Sequence, residues 1–136
     1  MPISDVVFLE GSDPEEVVNS EEPYSLGKWF RAKNIDMIPL SKLGEMLGVS
    51  TYQNLMKGFQ PVHPPEGEAF ILSFPKELQD RIRGLDDQEI AAVVTQWSKI
   101  DEFGGDAPEE PLHNYLAGLR DFLNERSGYA NLYLAI

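Results

Sequence analysis

Few side chains in this sequence have the type and spacing that acid–base or metal chemistry requires. The two histidines, His63 and His113, stand without a second histidine, a cysteine or a paired acid at ligand spacing. Because a metal site needs three or four convergent ligands, we expect both histidines to be structural or simply exposed. The adjacent acids Asp101 and Glu102 lie beside Phe103. With His63, they are the candidates for an acidic cleft in a small hydrolase or ligand-binding enzyme.

Motifs that cradle phosphates or build a nucleophile are absent from the sequence. Gly44 and Gly48 lack the Lys-Ser that follows in a phosphate-binding loop, and there is no G-x-G-x-x-G. A G-x-S-x-G context is missing around four serines: Ser41, Ser50, Ser73 and Ser98. The chain also has no cysteine, which removes thiolate chemistry. The sequence therefore predicts no cofactor and no metal, and it favours a non-catalytic protein over the enzyme.

Acidic residues outnumber basic ones by 23 to 11, and many of them fall in two segments. Residues 1–23 hold seven acids and residues 101–110 hold five, and neither segment contains a lysine or arginine. Such a surface repels nucleic acid and anionic membranes, whereas it attracts a basic protein. The plainer alternative is that the acidity only keeps the protein soluble.

These charges predict a non-catalytic protein-binding domain, either an inhibitor or an immunity-like partner of a basic protein. The binding residues we single out are Glu15, Glu16, Asp101 and Glu102. If the two acidic segments meet in space, their potentials add and steer a basic partner toward them. A bacterial protein of some other, unknown role is the remaining alternative, and the sequence does not indicate the oligomeric state.

The length of the chain and its hydropathy predict the number of domains and the cellular compartment. A chain of 136 residues is the usual size of one domain, so we predict a single domain over residues 1–136. No apolar run approaches the roughly 20 residues that span a bilayer. The first residues lack the basic start of a secretory signal, and we therefore expect a cytoplasmic protein.

Two long helices are the clearest elements in the chain. Residues 86–103 begin with Asp86 and Glu89 at capping-box spacing, and Gly104 and Gly105 follow the last predicted turn. Residues 110–127 carry the cleanest apolar stripe in the sequence. We expect Trp97, on the apolar stripe of the first helix, to be buried near Leu116 or Leu119 of the second. The stripe of the first helix consists of Ile90, Val93, Val94, Trp97 and Ile100.

Shorter elements complete a predicted α+β fold. Helices are expected from Asp13, over residues 39–47, after a capping box of Ser50 and Gln53, and after Pro75. Strands are expected over residues 4–9, 27–34, 68–74 and 129–136. The prediction is a small mixed β-sheet of three or four strands, covered mainly on one side by the two long C-terminal helices. The last strand is expected to pair with residues 69–74 or 28–33.

Three sequence stretches carry a resemblance. They are K-W-F-R-A-K around Trp29-Phe30, D-D-Q-E-I-A-A-V-V-T-Q-W followed by Asp101-Glu102, and the terminal L-Y-L-A-I. From about residue 28 onward the chain resembles small acidic α+β proteins of bacteria that carry no assigned activity. This resemblance implies the fold class and transfers no functional residue. Some acidic bacterial proteins of this size are immunity proteins against toxins, an analogy of size and charge alone.

Overall fold

A computed structural model of the chain describes residues 3–9, 17, 27–30, 35–62, 69–125 and 128–135. Within these residues the protein has the predicted α+β fold, with four strands and five α-helices. The strands are β1 (Ile3–Phe8), β2 (Lys28–Phe30), β3 (Ala69–Ser73) and β4 (Asn131–Ala135). The helices are α1 (Met37–Met46), α2 (Tyr52–Gly58), α3 (Lys76–Arg83), α4 (Asp87–Trp97) and α5 (Glu109–Asn124), with a 3-10 turn at Asp101–Phe103. The helix expected from Asp13 lies outside the described residues, apart from Val17.

The four strands form one sheet in the order β2-β1-β4-β3, and every pairing is antiparallel. The prediction of a mixed sheet is therefore corrected. Strand β4 begins at Asn131 opposite Ser73, the last residue of β3, so the chain leaves and re-enters the sheet at the same end. This return makes the two strands antiparallel. The predicted pairing of the C-terminal strand with β3 is confirmed, and its second neighbour is β1 rather than β2.

Alternation along the strands gives the sheet two buried faces. The face toward the helices joins the main hydrophobic core through Val6, Phe8, Leu72 and Leu132. The opposite face buries a second cluster, which consists of Val7, Val17, Ile71 and Tyr133, with Leu9 and Trp29 packed against it. Cover mainly on one side was expected, so burial of the second face is a difference from the prediction.

The apolar stripes of the two long helices are buried as predicted. In α4 they are Ile90, Val93, Val94 and Trp97, and in α5 they are Leu112, Tyr115, Leu116, Leu119, Phe122 and Leu123. The capping box is also present, because Glu89 N–H donates to Asp86 and Asp86 N–H donates to Glu89. These stripes are part of the main hydrophobic core, and burial of apolar surface is the dominant favourable contribution to folding.

Helix α4 ends at Trp97, so the predicted extent to residue 103 is wrong. After Trp97 the chain reverses, and Ala107 N–H donates to the Ser98 carbonyl across the turn at 2.8 Å. Gly104 and Gly105 have φ of 84° and 87°, a left-handed conformation that glycine adopts without steric cost. Ile100 is still buried, although it lies in the turn rather than on a helical stripe.

The short helices begin within two residues of their predicted starts. Asp36 caps α1, three residues before Pro39, by accepting from Ile38 N–H. Thr51, and not Ser50, caps α2 by accepting from Asn54 N–H. In both cases, the side-chain oxygen of the cap accepts a hydrogen bond from a backbone N–H in the first turn of the helix.

A buried glutamine connects α3 to the start of β4. Gln79 is 1% exposed, and its amide donates to the Gly128 carbonyl at 2.6 Å and accepts from Ala130 N–H at 2.8 Å. Arg83 on the same helix donates to the Leu123 carbonyl near the end of α5. The loop between α5 and β4 is therefore held by side chains that lie about 40 to 50 residues earlier in the chain.

One outer edge of the sheet is formed by β3. Residues 60–62 run along β3, where Val62 N–H donates to the Ile71 carbonyl and Ser73 N–H donates to the Gln60 carbonyl, so this edge is paired.

Among the described residues, no helix has the length and apolar character that crossing a membrane requires.

Candidate acidic binding surface

Residues 101–110, which we call the acidic turn, follow closely after the buried Trp97 at the end of α4. Trp97 is fully buried at the end of α4, and its indole N–H donates to the Pro39 carbonyl oxygen of α1 at 2.9 Å. Phe103 of the acidic turn packs edge-on against Trp97, with ring centroids 5.2 Å apart. The ring of Tyr115 on α5 also lies near the indole, with ring centroids 6.1 Å apart. Phe103 thus anchors the acidic turn to Trp97, which in turn contacts α1 and α5. Trp97 is buried beside the last helix, as expected.

The acidic turn presents its charges to solvent. It comprises the 3-10 turn, the two left-handed glycines, residues 106–108 and the start of α5. All five of its carboxylates are exposed: Asp101, Glu102, Asp106, Glu109 and Glu110. Lys99, which is also exposed, lies two residues before Asp101 and offsets part of this charge.

One charge of the acidic turn is paired within the protein. The Lys42 ammonium on α1 lies 2.5 Å from a Glu102 carboxylate oxygen, and both side chains remain about 30% exposed. The hydrogen bond from Lys42 holds the pKa of Glu102 below its ordinary value, and the same bond raises the pKa of Lys42. Glu102 is therefore ionised at neutral pH, which suits a binding carboxylate and does not suit a general acid. No local sequence pattern indicates this pair, because its partners are 60 residues apart.

The acids at the start of α5 also serve the helix itself. Glu109 and Glu110 occupy its first turn, where negative charge interacts favourably with the helix dipole. Glu109 accepts a hydrogen bond from the Thr95 hydroxyl of α4 at 2.9 Å. These two acids thus have a role in the fold whether or not they contact a partner. Asp101 and Asp106, by contrast, do not lie in the first turn of an α-helix.

The N-terminal half of the predicted surface has one described acid, and that acid is buried. Glu15 and Glu16 lie outside the described residues. Asp5 is 1% exposed in β1, directly opposite Tyr133 of β4, so it does not contribute to an acidic surface as its segment was expected to. Burial raises the pKa of Tyr133, and the nearby Asp5 charge raises it further. Asp5 lies two residues before Val7, so both side chains are on the same face of β1. This alternation is the signal in the sequence that could have indicated the burial of Asp5.

The residues of the enzyme alternative do not gather in a described cleft. One cleft of about 570 Å³ lies between α2 and the junction of β3 with α3, and a smaller one of about 250 Å³ lies between α1, α3 and α4. Neither is lined by Asp101 or Glu102. His63 lies outside the described residues, and His113 is half-buried on α5. In the described ranges, no three metal-ligating side chains are close enough to hold a metal ion.

Comparison of the chain with protein-family models, curated proteins and solved structures gives no match.

Proposed function

We propose that this protein is a non-catalytic binding domain that inhibits a basic protein by docking its acidic turn onto that protein. The observation that carries the proposal is the acidic turn itself, a segment with five exposed carboxylates and no lysine or arginine, anchored to the buried Trp97. A net charge of −12 adds a long-range attraction for a cationic partner. Glu15 and Glu16 belong to the proposed surface on their charge alone.

The anchoring matters because ordering a loop on binding has an entropic cost. Immobilising a flexible side chain at an interface costs about 0.5–1.5 kcal/mol, and a fixed turn avoids part of that cost in its backbone. The turn is fixed by its hydrogen bonds, among them Ala107 N–H to the Ser98 carbonyl, and by the Trp97–Phe103 contact. The backbone positions that carry its carboxylates are therefore set before a partner binds.

Electrostatics of this kind act more on the rate of association than on the final affinity. Exposed ion pairs each contribute about 0.2–1 kcal/mol, so a few carboxylates cannot by themselves give tight binding. Complementary potentials can, however, raise an association rate by one to three orders of magnitude at low salt. The association rate is thus the quantity in which the proposal is tested.

The test compares two variants that change the net charge by the same amount. Asp101→Asn with Asp106→Asn neutralises two carboxylates of the acidic turn, whereas Glu77→Gln with Glu125→Gln neutralises two exposed carboxylates elsewhere. Glu125 follows the far end of α5, about 24 Å from Glu109 at 1.5 Å per helical residue. The partner is obtained by capture of a basic protein from cell extract on the immobilised wild-type protein at low salt.

We expect the first variant to associate several-fold more slowly than the second, with both melting within about 2 °C of the wild type. A general cationic protein of similar charge serves as a second control, because non-specific attraction would treat it like the captured partner. Recovery of no basic protein, or equal association rates for the two variants, would contradict the proposal. Charge reversal at Glu15, Glu16, Asp101 and Glu102 tests the larger predicted surface in the same assay.

A further inference from the structure

We draw no further inference here: the strongest candidate, the cleft of about 570 Å³ between α2 and the junction of β3 with α3, opens on the N-terminus of α3, and no described residue supplies an unpartnered buried polar side chain aimed into it that would identify a ligand.

Discussion

Replacement of Trp97 tests the packing on which the acidic turn depends. The indole is fully buried, donates to the Pro39 carbonyl and contacts the rings of Phe103 and Tyr115. A tryptophan of this kind buries about 150–250 Å², which corresponds to roughly 4–6 kcal/mol at 25 cal/mol per Å². Alanine retains a small part of that burial, and emptying a large aromatic site in a core typically costs about 3–5 kcal/mol, so we expect Trp97→Ala to lower the free energy of unfolding by that amount.

Trp97→Phe separates the contribution of the ring from that of the hydrogen bond. Phenylalanine keeps an aromatic contact with Phe103 but cannot donate to Pro39, so we expect an intermediate loss of about 1–3 kcal/mol. The matched control is Gln96→Ala, on the exposed side of the same helix, with an expected change within about 0.5 kcal/mol.

The assay is urea unfolding at equilibrium, followed by far-UV circular dichroism so that loss of the indole does not change the signal. The dependence of the free energy on urea should be unchanged, which shows that the denaturant midpoint reports stability alone. A loss below about 1 kcal/mol for Trp97→Ala would refute the assigned helix face and the anchoring of the acidic turn.

Two further substitutions test buried polar groups, each by urea unfolding against a matched control. Gln79→Leu leaves Ala130 N–H without its acceptor and removes a donor to Gly128, so we expect a loss of about 2–3 kcal/mol, against less than about 0.5 kcal/mol for the exposed Gln88→Ala. Equal effects of these two changes would contradict the linkage of α3 to β4. The buried Ser41 hydroxyl has no hydrogen-bond partner among the described residues, so Ser41→Ala should be neutral or stabilising by up to about 1 kcal/mol. Ser98→Ala, which removes a hydroxyl bonded to the Thr95 carbonyl, should instead cost about 1 kcal/mol, and a greater loss at Ser41 than at Ser98 would show that Ser41 is satisfied in solution.

The sequence identified most elements because their apolar periodicity is local. The apolar stripe of α5 lies within one segment, and it is buried as predicted. The last strand also lies within one segment, and a strand was predicted there. The capping box of Asp86 and Glu89 depends on residues three apart, and it too was predicted. Patterns that lie within one segment can be recognised without knowledge of the rest of the fold.

The errors occurred where distant parts of the chain decide the outcome. Helix α4 ends at Trp97 because the chain turns back to bond Ala107 to Ser98, and periodicity alone extended it through the buried Ile100. Strand directions depend on which end of the sheet the chain re-enters after three helices. No local pattern contains that information.

The amino-acid composition predicted an acidic surface, but contacts in the folded protein change which acids contribute to it. The run of acids at residues 101–110 is visible in the sequence, and all five are exposed in the structure. Pairing of Glu102 with Lys42 could not be foreseen, since it joins α1 to the acidic turn. Burial of Asp5 removes one acid from the N-terminal segment, which shows that charge counts overstate an acidic surface.

The most direct measurement is the association rate of the wild-type protein with its captured basic partner as a function of salt. Between about 0.05 and 0.5 M salt the Debye length falls from roughly 14 to 4 Å, so attraction between exposed charges is largely screened. Docking through the acidic turn predicts that the rate falls at least about tenfold over this range, and that Asp101→Asn with Asp106→Asn flattens the dependence. A rate that stays constant within about twofold, or a salt dependence that those two changes leave unaltered, would contradict docking through the acidic turn.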